Sequence, residues 1–180
     1  ISTVEETYNK IEKIMGESSF TIDGYRIKIN GIEKTTEEGN IKTDDITIYV
    51  LDKDIFTNSV NRTITAFVDK DTYNNYINNT QAEIKENDTG MIIENLYIKN
   101  KISISKEHIP AGANIYLSED ELSKFLLFGT TEDQETYIVQ AGDTIEDISN
   151  ANKLSTEEFL IANNSLKSAQ DLLYPGQVVK

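Results

Sequence analysis

Residues 137–180 read YIVQAGDTIEDISNANKLSTEEFLIANNSLKSAQDLLYPGQVVK, and this stretch decides how the rest is read. Tyr137 to Val139 predicts a short strand that ends in a tight turn, with Gly142 supplying the permissive backbone. Asp143 or Thr144 then caps a helix whose buried face carries Ile145 and Ile148. After Leu154, Ser155 caps a second helix, and Glu158 three residues on completes a capping box. Phe159, Leu160 and Ala162 face inward from it. A Pro175-Gly176 turn returns the chain to a strand through Val178-Val179. The order is β-α-α-β within about 44 residues, with similar turn chemistry before and after the helices, as a compact module requires.

Upstream, residues 1–130 mix helices and strands without regular βα alternation, so the fold class is α+β. Val4, Tyr8, Ile11 and Ile14/Met15 have helical spacing closed by Gly16, with Ser2 or Thr3 as cap. Phe20, Ile22, Tyr25, Ile27 and Ile29 alternate about Asp23-Gly24, a hairpin signal, and Asn30-Gly31 offers a second turn. Residues 46–60 read as a strand pair split at Asp52-Lys53-Asp54. Residues 61–85 turn helical, with Asp69 capping their second half. Residues 90–109 revert to β around Lys99-Asn100. Residues 118–129 form a helix capped by Ser118, with Glu121 three residues later and Gly129 past its end. The expected organisation is an α+β domain over 1–130, a polar linker over 131–136 and the module over 137–180.

The chain carries 31 Asp and Glu against 17 Lys and Arg, a net charge of −14. Phosphate binding needs clustered cations, so this balance argues against nucleic acid and against an anionic membrane surface. Apolar content of 38% and charged content of 27% are those of a folded, soluble chain. No run approaches the roughly 18 apolar residues that span a bilayer. Cysteine is absent, which fits a bacterial protein, cytosolic or exported, better than a secreted eukaryotic one. Abundant Asn, Ile and Lys resemble low-GC Firmicutes usage. The triplets at Asn61, Asn78, Asn87 and Asn163 match glycosylation sequons, expected by chance in an Asn-rich chain. The chain opens at Ile1 without Met, the expected mark of a processed or excised piece.

The module resembles the LysM domain. Its residues run aromatic-x-Val-x-x-Gly-Asp-Thr-Ile-x-x-Ile, then Leu-Ser-x-x-x-Phe-Leu, an Asn at the helix end, and Leu-x-x-Gly-Gln-x-Val. The resemblance implies binding of N-acetylglucosamine-containing glycans, peptidoglycan or chitin, in a groove between two loops. Carried onto this chain, one side of the groove is Gly142, Asp143, Thr144 and Ile145, and the other is Asn163, Leu172, Leu173, Tyr174 and Pro175. For the cap and turn residues among them a purely structural role competes.

No catalytic pattern emerges. There is no thiol nucleophile, no Gly-x-Ser-x-Gly and no His-Glu-x-x-His. His108 is the one histidine and is expected at the surface or in packing. The adjacent pairs Glu37-Glu38, Asp44-Asp45 and Glu157-Glu158 point apart on a helix or strand. No cofactor or metal is implied. Residues 48–84, 90–98 and 118–129 resemble the non-catalytic, membrane-proximal part of Firmicutes cell-wall peptidases. That resemblance implies a downstream lysostaphin-like zinc peptidase domain and an extracytoplasmic setting. The competing readings are a spore-coat or phage-baseplate assembly protein, and an enzyme with an unfamiliar carboxylate site.

Overall fold

A computed structural model describes residues 3–16, 21–36, 39–85, 89–90, 92–110, 112–133 and 135–180. Ser2, Phe20, Glu37, Glu38 and Asn87, named above, lie outside the described residues, as do the side chains of Ile14 and Met15. In chain order the elements begin with α1 (Val4–Gly16), β1 (Thr21–Ile29), β2 (Glu33–Thr36), β3 (Gly39–Lys42), β4 (Ile46–Val50), α2 (Lys53–Thr65) and α3 (Lys70–Ile77). They continue with β5 (Ile102–Pro110), β6 (Ile115–Tyr116), α4 (Glu119–Phe128), β7 (Tyr137–Ile138), α5 (Ile145–Ala151), α6 (Thr156–Ala162) and β8 (Val178–Val179). The class is α+β. The chain divides into two compact units: Ile1–Phe56 with Tyr97–Leu117, and Thr57–Leu96 with Ser118–Lys180.

The first unit is organised by a sheet of order β5-β1-β4-β6. Strand β1 runs antiparallel to both β4 and β5, while β6 joins β4 in parallel. Ile27, Ile48, Val50 and Ile109 are its most buried side chains, β-branched residues suited to a pleated surface. The turn expected at Asp23-Gly24 does not form, because β1 passes straight through it, pairing Asp23 with His108 and Gly24 with Glu107. The reason is close approach: a Cβ on Gly24 would lie 2.5 Å from Ile109 Cδ1 and 2.8 Å from the Val50 carbonyl oxygen. The glycine here makes room inside a strand rather than bending it. The Asp23–His108 register also explains the single histidine. It is exposed, and its Nδ1 lies 2.6 Å from Asp23 Oδ1.

Asp52-Lys53-Asp54 does not turn one strand into another. Asp52 accepts a hydrogen bond from the Asp54 amide at 2.9 Å, and α2 starts there instead. The helical stretch beyond residue 61 is broken: α2 stops at Thr65 and α3 restarts under Asp69, whose carboxylate accepts from the Thr72 amide at 2.9 Å. Residues 92–99 are irregular, and of the expected hairpin only β5 forms. Its partner is β1, some 80 residues upstream. Thr3 caps α1, exchanging bonds with Glu6 in both directions.

The second unit holds α3, α4 and residues 137–180 together. Ser118 caps α4 through the Glu121 amide, and Gly129 closes it in the left-handed region. Helix α4 packs against α6. Arg62 of α2 pairs with Asp120 at the start of α4 and donates to the Leu160 carbonyl of α6 at 3.5 Å. Ser155 Oγ donates to the Ala66 carbonyl at 3.0 Å. Residues 131–136 lie inside this unit. Within them, Asp133 receives both the buried Lys124 of α4 and Lys180, each at 2.5 Å. The two lysines hold its carboxyl below the usual carboxylate range.

Candidate functional site

The module is built from local contacts. Thr144, rather than Asp143, caps α5, its Oγ1 accepting from the Asp147 amide. Ser155 and Glu158 form a reciprocal capping box on α6. Val139, Ile145, Ile148, Phe159, Leu160, Leu166 and Val179 make one apolar cluster, with Leu173 packed on its margin. Burying such a cluster against a two-stranded ribbon stabilises helices that are each too short to persist alone.

The two turns at one end of the module follow from how the ribbon continues past its strands. Tyr137 pairs with Val179 and Ile138 with Val178. Beyond them the Val139 amide donates to the Gln177 carbonyl at 2.9 Å, and the Gly176 amide to the Val139 carbonyl at 2.8 Å. Two β-turns are therefore set side by side. In Gln140-Ala141-Gly142-Asp143 the fourth amide donates to the first carbonyl at 3.3 Å, with Gly142 at φ 95°. In Tyr174-Pro175-Gly176-Gln177 the same bond is 2.9 Å, with Gly176 at φ 86°. A positive φ at the third residue, with proline second in one of them, is the type II pattern that glycine serves best.

Side chains lock both turns. Asp143 Oδ2 accepts from the Gln140 amide and from the Tyr137 hydroxyl, both at 2.8 Å. Donating to that carboxylate pushes the Tyr137 phenol above its ordinary value. Gln177 Oε1 accepts from the Tyr174 amide at 3.1 Å. Neither Tyr137 nor Gln177 is marked by the sequence pattern as a turn anchor. Gln177 carries one signal, a polar side chain three residues from its turn's other end, while Tyr137 bonds across six residues and carries none.

The nine residues named from sequence separate into three groups. Ile145 is 1% exposed, in the apolar cluster. Asn163 is also buried, and its amide group is occupied by the chain end: Oδ1 accepts from the Lys180 amide at 2.7 Å and Nδ2 donates to the Lys180 carbonyl at 2.6 Å. Asp143 and Thr144 have their side chains committed to the turn and the cap. Their surroundings nevertheless leave open backbone: among the described residues the Ala141, Gly142 and Thr144 amides have no partner. In the neighbouring turn, Leu172 is 76% and Tyr174 66% exposed, beside exposed Pro175 and half-buried Leu173. The two turns together offer a strip of unpaired amides and a set of exposed apolar side chains. Such a strip can pair with amide and hydroxyl groups while covering the apolar face of a ring.

Residues 137–180 match the LysM domain family. No curated protein and no solved structure matches the chain. LysM domains bind peptidoglycan or chitin-type glycans, so the LysM region carries glycan binding as its general property. The match covers about a quarter of the chain. Among the described residues no helix is long and apolar enough to cross a membrane, and no three His, Asp or Glu side chains converge as metal ligands.

Proposed function

We propose that this protein docks on the bacterial cell wall by binding N-acetylglucosamine-containing chains of peptidoglycan in the groove between the turns 140–143 and 174–177. Gly142, Asp143 and Thr144 contribute backbone on one side, with Leu172, Leu173, Tyr174 and Pro175 as the apolar wall on the other. Ile145 and Asn163 act from beneath, the first by packing under the first turn and the second by anchoring the final strand. The observation that carries this reading is the pair of tied turns, with open amides in one and exposed Leu172 and Tyr174 at the other.

A neutral sugar suits a chain of net charge −14, because binding then needs no cationic patch. In this reading the chain is the non-catalytic targeting part of an extracytoplasmic cell-wall hydrolase, and residues 137–180 are its wall-binding module. The catalytic group would be a lysostaphin-like zinc peptidase domain downstream. A single groove of this size binds weakly, and retention comes from tethering or repetition. The test is retention on purified sacculi, comparing the wild type with the Leu172→Ser/Tyr174→Ser variant. The wild type should be retained and released by chitin oligosaccharides, while the variant, still folded, should wash off. A wild type that passes through unbound would contradict this reading and favour an assembly role for the module.

A further inference from the structure

A second cleft lies in the same unit, away from the turn groove. It measures about 450 Å³ and is lined from α2, α3, the start of α4, α6 and Lys167. In a strongly acidic chain it gathers three cations, Arg62, Lys70 and Lys167, against three anions, Glu119, Asp120 and Glu157. Two of the anions are already engaged. Asp120 holds Arg62 and, at 3.5 Å, Lys167, while Glu119 accepts from Asn58 Nδ2 at 2.6 Å. Lys70 and Glu157 remain, one in the first turn of α3 and the other in the first turn of α6, with no side-chain partner among the described residues.

Arg62 adds to this. Its side chain is 23% exposed, and its two contacts use only part of a guanidinium that carries five N–H donors. A half-buried arginine with spare donors is well suited to a carboxylate. The rest of the lining mixes amide and hydroxyl groups with apolar Ile77 and Leu160: Asn74 is exposed, and Tyr73, mostly buried, donates from its hydroxyl to Asn61 Oδ1 at 2.7 Å. Cationic and anionic ends left open in one polar cleft match a ligand bearing both charges.

We infer that this cleft is a second binding site, for a short zwitterionic peptide of the kind attached to peptidoglycan glycan strands. A ligand carboxylate lies against Lys70 and Arg62, and a ligand ammonium against Glu157. The choice of peptide rests on the peptidoglycan reading above, whereas the charge pattern of the cleft does not. Turn groove and cleft would then read the two chemical halves of one polymer.

The test is a titration of the intact chain, followed by backbone amide shifts, with two separate probes. One is a glycan-free tetrapeptide carrying a free side-chain amine and a free C-terminal carboxylate; the other is a chitin oligosaccharide. The peptide should shift residues 62–74 and 157–160, and capping its amine and carboxylate should abolish the effect. Lys70→Glu and, separately, Glu157→Gln should each weaken the peptide by roughly tenfold, the loss expected for one charge-assisted contact. Both variants should leave the oligosaccharide affinity unchanged. Lys70 is exposed and Glu157 half-buried, with no partner to lose among the described residues, and a glutamate is favourable in the first turn of α3, so folding is retained. If the oligosaccharide binds and the peptide does not, or the peptide binds equally to both variants, the cleft inference is overturned and the glycan reading stands. If the peptide binds as described and the oligosaccharide fails, the cleft stands and the turn groove falls.

Discussion

The module at residues 137–180 and the sheet of the first unit both contain paired strands, yet their contacts reach very differently along the chain. In the module, caps and turns close over three residues: Thr144 to Asp147, Ser155 to Glu158, Gln140 to Asp143 and Tyr174 to Gln177. In the first unit, Thr21 pairs with Pro110 and Ile29 with Ile102, so the core forms only when distant segments meet. Local closure writes itself into the sequence as short motifs. Distant pairing leaves only alternation, which many registers satisfy.

The largest effect should come from the module's centre. Phe159 is 2% exposed within the apolar cluster, and Phe159→Ala should cost about 3–5 kcal/mol. Urea unfolding would measure it, and glycan retention should disappear with the fold. The corresponding probe of the sheet is Gly24→Ala, whose Cβ meets Ile109 and the Val50 carbonyl. It should cost about 1–3 kcal/mol. Adding Ile109→Val removes the Cδ1 atom that clashes, so the double variant should be more stable than the sum of the single changes. Additive losses would mean that the backbone contact alone is limiting.

Smaller changes sharpen the contrast between local and distant. Ser155→Ala removes a cap and a bond to the Ala66 carbonyl, for about 1 kcal/mol. Thermal melts of Ser155→Ala and Ser155→Asp should separate the cap from the bond to Ala66, since an aspartate can accept from the Glu158 amide but has no hydroxyl to donate. The smallest effect concerns Asp133. Its folded carboxyl is held low by Lys124 and Lys180, so its stabilisation is present above the unfolded carboxylate value of about 3.9 and lost as pH falls through the lower folded value. Asp133→Asn should therefore lower stability slightly near neutrality, by no more than an exposed ion pair contributes, and converge with the wild type in acid, which flattens the acid limb below about pH 4. An unchanged acid limb would mean that the two lysines find other partners.

How much of this was legible follows the same division. The β-α-α-β order, the Ser155 capping box, the Ser118 and Asp69 caps and the glycine turns could all be read directly, since each rests on residues three or four apart. Asp23-Gly24 misled, because a glycine that makes room for Ile109 looks the same in sequence as one that bends a chain. Asp52-Lys53-Asp54 misled because an aspartate can open a helix as easily as a turn. Around the two turns, the pattern named nine residues as one proposed groove. It could not separate exposed Leu172 and Tyr174 from buried Ile145 and Asn163, since exposure depends on the folded chain, and Asn163 faces a chain end 17 residues away. The polar cleft was not legible at all, because its cations and anions come from five separate segments.

The most direct measurement is an amide-shift titration of the intact chain with a chitin oligosaccharide, taken to about millimolar concentration because one such groove binds weakly. The account predicts shifts concentrated at residues 141–144 and 172–177, with the sheet of the first unit unmoved. Shifts centred elsewhere, or none at that concentration, would contradict the claim that the paired turns are a glycan-binding groove.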